Sequence, residues 1–430
     1  MDLATYTTMD AVELSELVTR GEVSPEELLE CAFQQLDKVN PELNAVVHER
    51  RERVLEEARD AGGSKGAFAG VPMLLKNISQ ALEGEPLTSG SRLMAEYKAE
   101  GHSNLVQRLH DAGVLVMGHT NVPEFALKNI TEPKLNGAAR NPWNPDYSPG
   151  GSSGGAAAAV AAGVVPVAGA SDGGGSIRIP ASFCGLFGLK PTRGRTPVGP
   201  GAGRQWQGAS IDFVLSRSVR DSAAMLDELQ VVEPAAAFQV PLYEGTFAKD
   251  MKRSFDRPLK IAYTTASPVR TPVSDDAVQA VEKTVAWLEA QGHILEEHDN
   301  GVDGVQLMRN YFLMNSGEVA TVVAGMEAMM GRELTADDME IETWILNEAG
   351  KSVSAAEFSA SLASWDVAAA QMAELHETYD FYLTPTTAYT APKVGELTFS
   401  EEDEQRLREQ VIKLDGRDNS SSYMICSCPA

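Results

Sequence analysis

The sequence predicts an α/β fold built on a large, mixed, mostly parallel β-sheet that helices cover on both faces. From Gly70 onward, short apolar runs alternate with segments that carry helix caps, and continuous apolar strands are typical of sheets buried on both faces. The 430 residues are 43% hydrophobic and 23% charged, which is enough apolar material for a large core. We find no internal repeat and no long flexible linker, so we predict one domain over residues 1–430.

The amino-terminal part of the chain predicts a layer of helices outside the sheet. Ser24, Pro25 and Glu27 form a capping box with proline at the first helical position, and apolar residues follow at helical spacing. An earlier helix is predicted from about Asp10 to Thr19. Both helices carry one apolar face, so we expect them to pack against the sheet.

Seven short apolar runs are the candidate strands of the sheet, and capped helices separate several of them. The predicted helices between strands are residues 104–112, an alanine-rich segment after Ser153, and residues 275–291 with Ser274 as N-cap. We expect all seven strands to belong to one sheet. They are residues 71–75, 114–117, 164–168, 186–189, 259–263, 294–295 and 381–383.

Charge and composition exclude several classes of function. The formal net charge of −25 argues against nucleic acid or an anionic membrane surface as a partner, since binding phosphate needs clustered Lys and Arg. The first residues lack the basic and apolar regions of a secretory signal, and no run reaches the length of a membrane span. Four cysteines and seven histidines show no metal-ligand spacing. We therefore expect a cytoplasmic protein with no metal and no cofactor.

Two serines flanked by glycine are the first candidates for chemistry. Ser152 lies between Gly151 and Ser153 in a run of four glycines and two serines, and Ser176 follows three consecutive glycines. Glycine leaves a hydroxyl unobstructed and lets backbone N–H groups turn toward one point, as an acyl-transfer nucleophile beside an oxyanion hole requires. An ordinary tight turn is the alternative, and the run matches neither dinucleotide-binding nor phosphate-loop spacing.

Lys76 is the candidate base because no histidine lies in a comparable context. It ends an apolar strand, where burial could favour the neutral amine. To act near neutral pH its pKa must fall by roughly three units from about 10.4. A solvated lysine at a strand end is the alternative. His119 is the histidine nearest to a strand end in this region, and a Gly-x-Ser-x-Gly elbow is absent.

These elements occur in an order that resembles the amidase signature family. The similarity extends from the amino-terminal helices to about Gly395. Its most specific segments are residues 70–77 (GVPMLLKN), 88–91 (TSGS), 120–125 (TNVPEF), 148–155 (SPGGSSGG), 172–178 (DGGGSIR) and 185–192 (GLFGLKPT). Residues 305–390, including 311–318 and 343–344, resemble the branch of aminohexanoate cyclic dimer hydrolases. The family divides the chain into a helical layer (1–65), a signature core (66–200), the rest of the sheet with substrate-side helices (201–395) and an atypical tail (396–430).

The resemblance implies a Ser-cisSer-Lys hydrolase and assigns roles to named residues. Ser176 would be the nucleophile, Ser152 the bridging serine after a cis peptide bond, and Lys76 the base. The N–H groups of the loop 173–175 would hold the oxyanion, and a supporting set would brace the loops. The oxyanion residues are Gly173, Gly174 and Gly175, and the supporting residues are Asp172, Arg178 and Ser153.

The expected function is hydrolysis of a small linear or cyclic amide through an acyl-enzyme. With lysine as the base, we expect the activity to rise toward alkaline pH, with an apparent pKa well above that of an unperturbed histidine. The expected partner is the small-molecule amide, and a homodimer is kept open. Two alternatives also stay open. One is a glutaminase-type subunit of an amidotransferase, and the other is a catalytically impaired homologue, because residues 420–430 depart from the family pattern. His119 departs as well, without an expected effect on the triad.

Overall fold

The computed structural model describes residues 1–60 and 66–414, and these residues form two compact units. Unit 1 comprises residues 1–252 and 391–398, and unit 2 comprises residues 253–390 and 399–414. Each unit contains its own β-sheet. Most of the predicted atypical tail, residues 415–430, lies outside the described residues.

Unit 1 is built around a mixed six-stranded sheet. Its strands are β1 (Val46–Glu49), β2 (Pro72–Lys76), β3 (Leu115–Thr120), β4 (Val167–Asp172), β5 (Phe187–Gly188) and β6 (Ile211–Ser216). Their order across the sheet is β1-β3-β2-β4-β6-β5. The central strands β3, β2 and β4 are parallel, whereas β1 and β6 are antiparallel to their neighbours. The carboxyl ends of β2 and β4 therefore meet at one edge of the sheet, where the candidate site lies.

Several helices of unit 1 begin at a residue whose side chain caps the first turn. Asp10 and Ser24 both form capping boxes, so the two amino-terminal helices start as predicted. The alanine-rich helix after Ser153 is buried along nearly its whole length. The helices are α1 (Leu3–Thr8), α2 (Ala11–Thr19), α3 (Pro25–Leu43), α4 (Arg51–Asp60), α5 (Asn104–Asp111), α6 (Gly154–Ala161), α7 (Arg178–Cys184), α8 (Val219–Leu229) and α9 (Phe247–Asp250).

Unit 2 combines a small parallel sheet with long helices. The strands are β7 (Lys260–Tyr263), β8 (Ile294–Glu297) and β9 (Phe381–Leu383), in the order β8-β7-β9. Both pairings are parallel. The helices are α10 (Asp275–Ala290), α11 (Gly304–Met330), α12 (Ile341–Ser352), α13 (Ala355–Thr378) and α14 (Glu401–Leu414).

The predicted α/β class is confirmed, but the expectation of one sheet for all seven runs is wrong. The runs at 259–263, 294–295 and 381–383 form the separate sheet of unit 2. In unit 1 the place beside β4 is taken by β6, which the sequence analysis did not assign as a strand. An apolar run predicts a buried strand, but its pairing partner is set by non-local packing. The two units have boundaries at 252, 390 and 398, whereas the predicted subdivision has boundaries at 65, 200 and 395. The single domain stays a prediction.

A buried carboxylate links β1 and α4 to the segment after β2. Glu85 is 4% exposed and accepts hydrogen bonds from Arg50 Nε at 2.7 Å, Arg53 Nη1 at 2.6 Å and His48 Nε2 at 2.8 Å. Burial raises its pKa, but the bonds from Arg50, His48 and Arg53 outweigh that effect and bring the pKa to about 2. Its ionised form is therefore strongly favoured by the fold.

We expect Glu85→Gln to lower the free energy of unfolding at pH 7 by about 2–3 kcal/mol, because the buried guanidinium of Arg50 loses its charged partner. The folded-state pKa lies below the unfolded value, so the contribution of Glu85 is fully present above about pH 4.5 and is lost as the pH falls toward 2. Urea unfolding at pH 7 and pH 3 should show a smaller difference between wild type and variant at pH 3. The exposed Glu83→Gln should change stability by less than about 0.5 kcal/mol. An equal loss from Glu85→Gln at both pH values would contradict this account.

Candidate active site

Lys76 lies at the carboxyl end of β2 and is fully buried. Its Nζ donates hydrogen bonds to Ser152 Oγ at 2.8 Å and to Ser171 Oγ at 2.8 Å. Ser171 is on β4, the parallel neighbour of β2, and Ser152 lies just before α6. Three segments that are distant in sequence therefore converge on one amine.

The segment that carries Ser152 is attached to β4 by its neighbour. The peptide bond between Gly151 and Ser152 is cis, as the resemblance implied. Ser153 Oγ donates to the backbone carbonyl of Ser171 at 3.3 Å and accepts from the Ser171 N–H at 3.4 Å. The predicted supporting residue Ser153 thus connects this segment to the strand whose side chain also contacts Lys76.

Close backbone packing explains the glycines around Ser152. A Cβ on Gly151 would lie 2.6 Å from the backbone N of Ile130, and one on Gly155 would lie 2.4 Å from the backbone N of Asn121. Thr131 Oγ1 donates to the Gly150 carbonyl at 2.9 Å and accepts from Gly154 N–H at 3.2 Å. No side chain larger than hydrogen fits at these positions without moving a backbone, so the segment is held from several directions.

Ser176 lies in a second glycine loop, which follows β4 and precedes α7. The loop is braced by Asp172, which is fully buried and forms a bidentate ion pair with Arg178: Nε donates to Oδ2 at 2.9 Å and Nη2 donates to Oδ1 at 2.9 Å. Burial raises the pKa of Asp172, but the hydrogen bonds and charge of Arg178 and the backbone donors hold it below its ordinary value. The carboxylate is therefore a permanent anchor for the loop.

The three loop glycines do not play the same part. Gly175 has φ of +105°, which only glycine adopts readily, and its N–H donates to Asp172 Oδ1 at 2.8 Å. The Gly175 N–H thus braces the loop in this structure, and its role toward an oxyanion stays a prediction. Among the described residues, the N–H groups of Gly174 and Ser176 have no hydrogen-bond acceptor. They are the donors that the geometry leaves for an oxyanion.

The hydroxyls of Ser152 and Ser176 are not hydrogen-bonded to each other in the described part of the chain. Ser152 is fully buried, whereas Ser176 is 7% exposed. The structure thus brings Lys76 and Ser152 into direct contact and places Ser176 on the loop after β4. Catalytic hydrogen bonds are often long without substrate and shorten on binding.

Burial lowers the pKa of Lys76 to about 7, against the opposing charges of Asp212 and Asp172. The sequence analysis required a fall of roughly three units from about 10.4, and burial of the amine is the physical cause that it named. A large fraction of Lys76 is therefore neutral near pH 7, with a lone pair available to a hydroxyl proton. The carboxyl of Asp212 is also buried, and that burial raises its pKa.

His119 cannot replace Lys76 in this site. On adjacent parallel strands, Lys76 pairs with Thr120 and Leu75 pairs with His119. Side chains alternate between the two faces of a sheet, so His119 points to the face opposite Lys76. Burial lowers the pKa of His119 to about 3, and neither ring nitrogen has a hydrogen-bond partner within the described residues. A Ser-His arrangement is therefore inconsistent with the geometry.

Three of the resembling segments are joined by hydrogen bonds that begin at Asn77, the residue after Lys76. Asn77 Nδ2 donates to Thr88 Oγ1 at 3.0 Å, and its Oδ1 accepts from Thr88 N–H at 2.9 Å. The Ser89 carbonyl accepts from Phe125 N–H at 2.8 Å. Ser91 Oγ donates to Glu124 Oε1 at 2.7 Å. The segments 70–77, 88–91 and 120–125 are thus one hydrogen-bonded structure.

Residues 1–60 and 66–414 contain no group of three or more His, Cys, Asp or Glu side chains placed to hold a metal ion. No helix in the same ranges has both the length and the apolar character to cross a membrane.

Comparison with known proteins agrees with this geometry. The family profile named Amidase matches residues 27–413. The chain belongs to the amidase family. It is 40% identical over 391 residues to a lipoamidase from Enterococcus faecalis, covering 91% of this chain and 51% of that protein, so it spans about half the length of this relative.

A second curated relative and a solved structure carry the same name. The chain is 35% identical over 395 residues to the 6-aminohexanoate-cyclic-dimer hydrolase of Paenarthrobacter ureafaciens, covering 90% of this chain and 79% of that protein. A structure of 6-aminohexanoate cyclic dimer hydrolase in complex with substrate matches with a TM-score of 0.88 and 33% identity, covering 97% of this chain and 86% of that chain. The amidase fold is therefore shared across most of the length.

Three residues beside the site of this amidase were not predicted from the sequence: Ser171, Gln80 and Asp212. Ser171 bonds to Lys76 Nζ. Gln80 Oε1 accepts from the Lys76 backbone N–H at 2.9 Å. Asp212 lies opposite Ser171 on β6. The available signal was a polar residue inside an otherwise apolar run, at Ser171 and at Asp212.

Proposed function

We propose that this protein hydrolyses a carbon–nitrogen amide bond through an acyl-enzyme on Ser176. The observation that carries the proposal is the 2.8 Å hydrogen bond between the buried Lys76 Nζ and Ser152 Oγ. With a pKa near 7 this amine is a base in the physiological range. Family membership supports the same chemistry, and the braced loop at Ser176 supplies the second hydroxyl.

In the acylation step, neutral Lys76 accepts the proton of Ser152 while Ser152 Oγ accepts the proton of Ser176. Ser176 Oγ forms a bond to the amide carbon, and the carbonyl oxygen becomes an oxyanion near the N–H groups of Gly174 and Ser176. Protonated Lys76 then returns its proton through Ser152 to the amide nitrogen. The C–N bond breaks, the amine leaves, and an ester remains on Ser176.

In the deacylation step, the same groups act on water. Water loses a proton through Ser152 to Lys76 and attacks the ester carbon, and Ser176 Oγ leaves with the returned proton. The products are a carboxylic acid and an amine, and Lys76 is neutral again. No cofactor or metal is needed to balance these steps.

For the substrate we propose a small aliphatic amide, linear or cyclic. Two relatives at 40% and 35% identity carry the names lipoamidase and 6-aminohexanoate-cyclic-dimer hydrolase. Both names describe amides of aliphatic acids, and these relatives cover about nine-tenths of this chain. No observation in the described residues favours the glutaminase alternative. The cytoplasmic location and the homodimer stay predictions.

A panel of amides tests the proposal. We expect mass spectrometry to detect free acid and amine from at least one member of a set containing lipoamide, lipoyl-lysine, the cyclic and linear dimers of 6-aminohexanoate, short N-alkyl amides and glutamine. The Ser176→Ala protein is the matched control for background hydrolysis. Hydrolysis of glutamine alone would favour the amidotransferase alternative. Absence of any Ser176-dependent turnover by folded protein would overturn the proposal in favour of the impaired homologue.

A further inference from the structure

A second buried carboxylate lies next to the lysine. Asp212 is 3% exposed and belongs to β6, where it pairs directly with Ser171 of β4. Residues directly opposite in an antiparallel pair share one face of the sheet, with Cβ atoms about 5 Å apart. Because the Ser171 hydroxyl contacts Lys76 Nζ at 2.8 Å, Asp212 lies on the same face as the amine and beside one of its ligands.

Asp212 also fixes the turn that follows Lys76. Ser79 Oγ donates to Asp212 Oδ1 at 2.6 Å, and Gln205 Nε2 donates to Oδ2 at 2.7 Å. The next residue, Gln80, accepts from the Lys76 N–H at 2.9 Å and donates to the Ala170 carbonyl at 3.1 Å. The end of β2 is thus tied to both β4 and β6 through the carboxylate and its neighbour.

The charge of Asp212 has no ion-pair partner within 4 Å in the described residues. Both of its hydrogen-bond donors, Ser79 and Gln205, are neutral. A buried carboxylate without a contacting cation is costly unless a nearby positive charge offsets it. Lys76 is the cation whose charge stabilises the ionised form.

We propose that Asp212 is a positioning residue for Lys76: its carboxylate holds the turn after β2 and places a negative charge beside the amine. The inference rests on the proposed function, since it concerns the base of that reaction. Asp212 does not touch the reacting atoms. It acts by fixing the location of Lys76 and by favouring the protonated amine.

The direction of the effect follows from the charges that act on Lys76. Burial favours the neutral amine, whereas Asp212 on β6 and Asp172 at the end of β4 favour the protonated amine. The charge of Asp172 is already offset by its ion pair with Arg178. Removing the charge of Asp212 should therefore lower the pKa of Lys76 more than removing that of Asp172. The amine should then lose its proton at lower pH.

The test compares the pH dependence of wild type with that of Asp212→Asn. The first readout is the rate at which a fluorophosphonate probe labels Ser176 between pH 5 and pH 9. The second is kcat/KM over the same range for any amide of the panel that the wild type hydrolyses. We expect the midpoint of the acid limb to move down by about one pH unit, the usual size for loss of a nearby opposite charge. A folded Asp212→Asn protein with an unchanged midpoint would overturn the inference.

Asp221→Asn is the matched control. Asp221 is also a fully buried carboxylate of unit 1, and it accepts from Ala11 N–H and Val12 N–H at 3.0 Å each. It is not among the charges that act on Lys76. We expect a lower melting temperature and the wild-type midpoint. An equal midpoint shift in Asp221→Asn would show a general structural effect and would count against the inference.

Gln205→Leu covers the case in which Asp212→Asn does not fold. This change removes one hydrogen-bond donor to the Asp212 carboxylate. The neutral acid form of Asp212 then becomes more favourable, so less negative charge lies beside Lys76. We expect a smaller shift in the same direction, and no shift would overturn the inference. A wild-type protein that neither reacts with the probe nor hydrolyses any amide would instead overturn the proposed function. The two failures are therefore distinguishable.

Discussion

Ser176→Ala is expected to abolish labelling by a fluorophosphonate probe and to lower amide hydrolysis by about 10³-fold or more, the usual size for loss of a catalytic nucleophile. The physical reason is that, in the proposed mechanism, the acyl-enzyme forms on the Ser176 hydroxyl, which lies on a loop braced by the Asp172–Arg178 ion pair. The side chain is 7% exposed and carries no hydrogen bond among the described residues, so its loss should leave the fold intact. In-gel fluorescence and progress curves with purified protein measure both effects.

Ser103→Ala is a suitable control for the nucleophile experiment. Ser103 is a buried serine of unit 1 that caps α5 by accepting from Val106 N–H at 3.3 Å. Its replacement should lower stability by about 1 kcal/mol and leave labelling unchanged. Labelled peptide mapping to Ser152 instead of Ser176 would reverse the assigned roles of the two serines.

Lys76→Ala should reduce the rate of hydrolysis and of probe labelling by about 10³-fold or more at all pH values. Without the amine, neither Ser152 nor Ser176 has a base to take its proton. The wild-type rate should rise with pH through a midpoint near 7, because the neutral amine is the active form and burial brings its pKa to about 7. This midpoint lies closer to that of histidine than the sequence analysis expected. The measurement is kcat/KM from pH 5 to pH 9.

Lys76→Met separates loss of the base from loss of packing. Methionine approximately fills the volume of the buried lysine stem, so the melting temperature should fall less than in Lys76→Ala. The rate should fall equally in both variants. Recovery of more than about a tenth of the wild-type rate in Lys76→Met would show that Lys76 is not the base, since Met has no proton acceptor of comparable strength.

The sequence predicted the parts of the site that depend on local chemistry. The glycines that flank the pair Ser152 and Ser153 indicate a backbone in close contact with other backbone, and the structure shows such contacts at Gly151 and Gly155. The apolar run before Lys76 predicts a buried strand end, and the amine is fully buried there. The α/β class followed from apolar runs and helix caps in the same way.

The remainder depends on strand pairing, which local sequence does not contain. β6 was missed because Asp212 interrupts its apolar pattern, and without β6 the position opposite Ser171 cannot be assigned. The runs at 259–263, 294–295 and 381–383 were assigned to the wrong sheet for a related reason, since a short apolar run is compatible with either sheet. The predicted oxyanion role of Gly175 came from the glycine run and the family resemblance, whereas the direction of its N–H in the structure depends on the Asp172 side chain.

The tight enclosure of the Ser152 segment bears on attempts to alter what the enzyme accepts. A mutagenesis library that varies Gly151, Gly154 or Gly155 would consist mainly of insoluble protein, since even a methyl group there overlaps neighbouring main chain or the Thr131 side chain. Diversification aimed at new amides belongs on side chains outside residues 150–155. Such a library varies the residues that recognise the ligand and keeps the residues that transfer the proton unchanged.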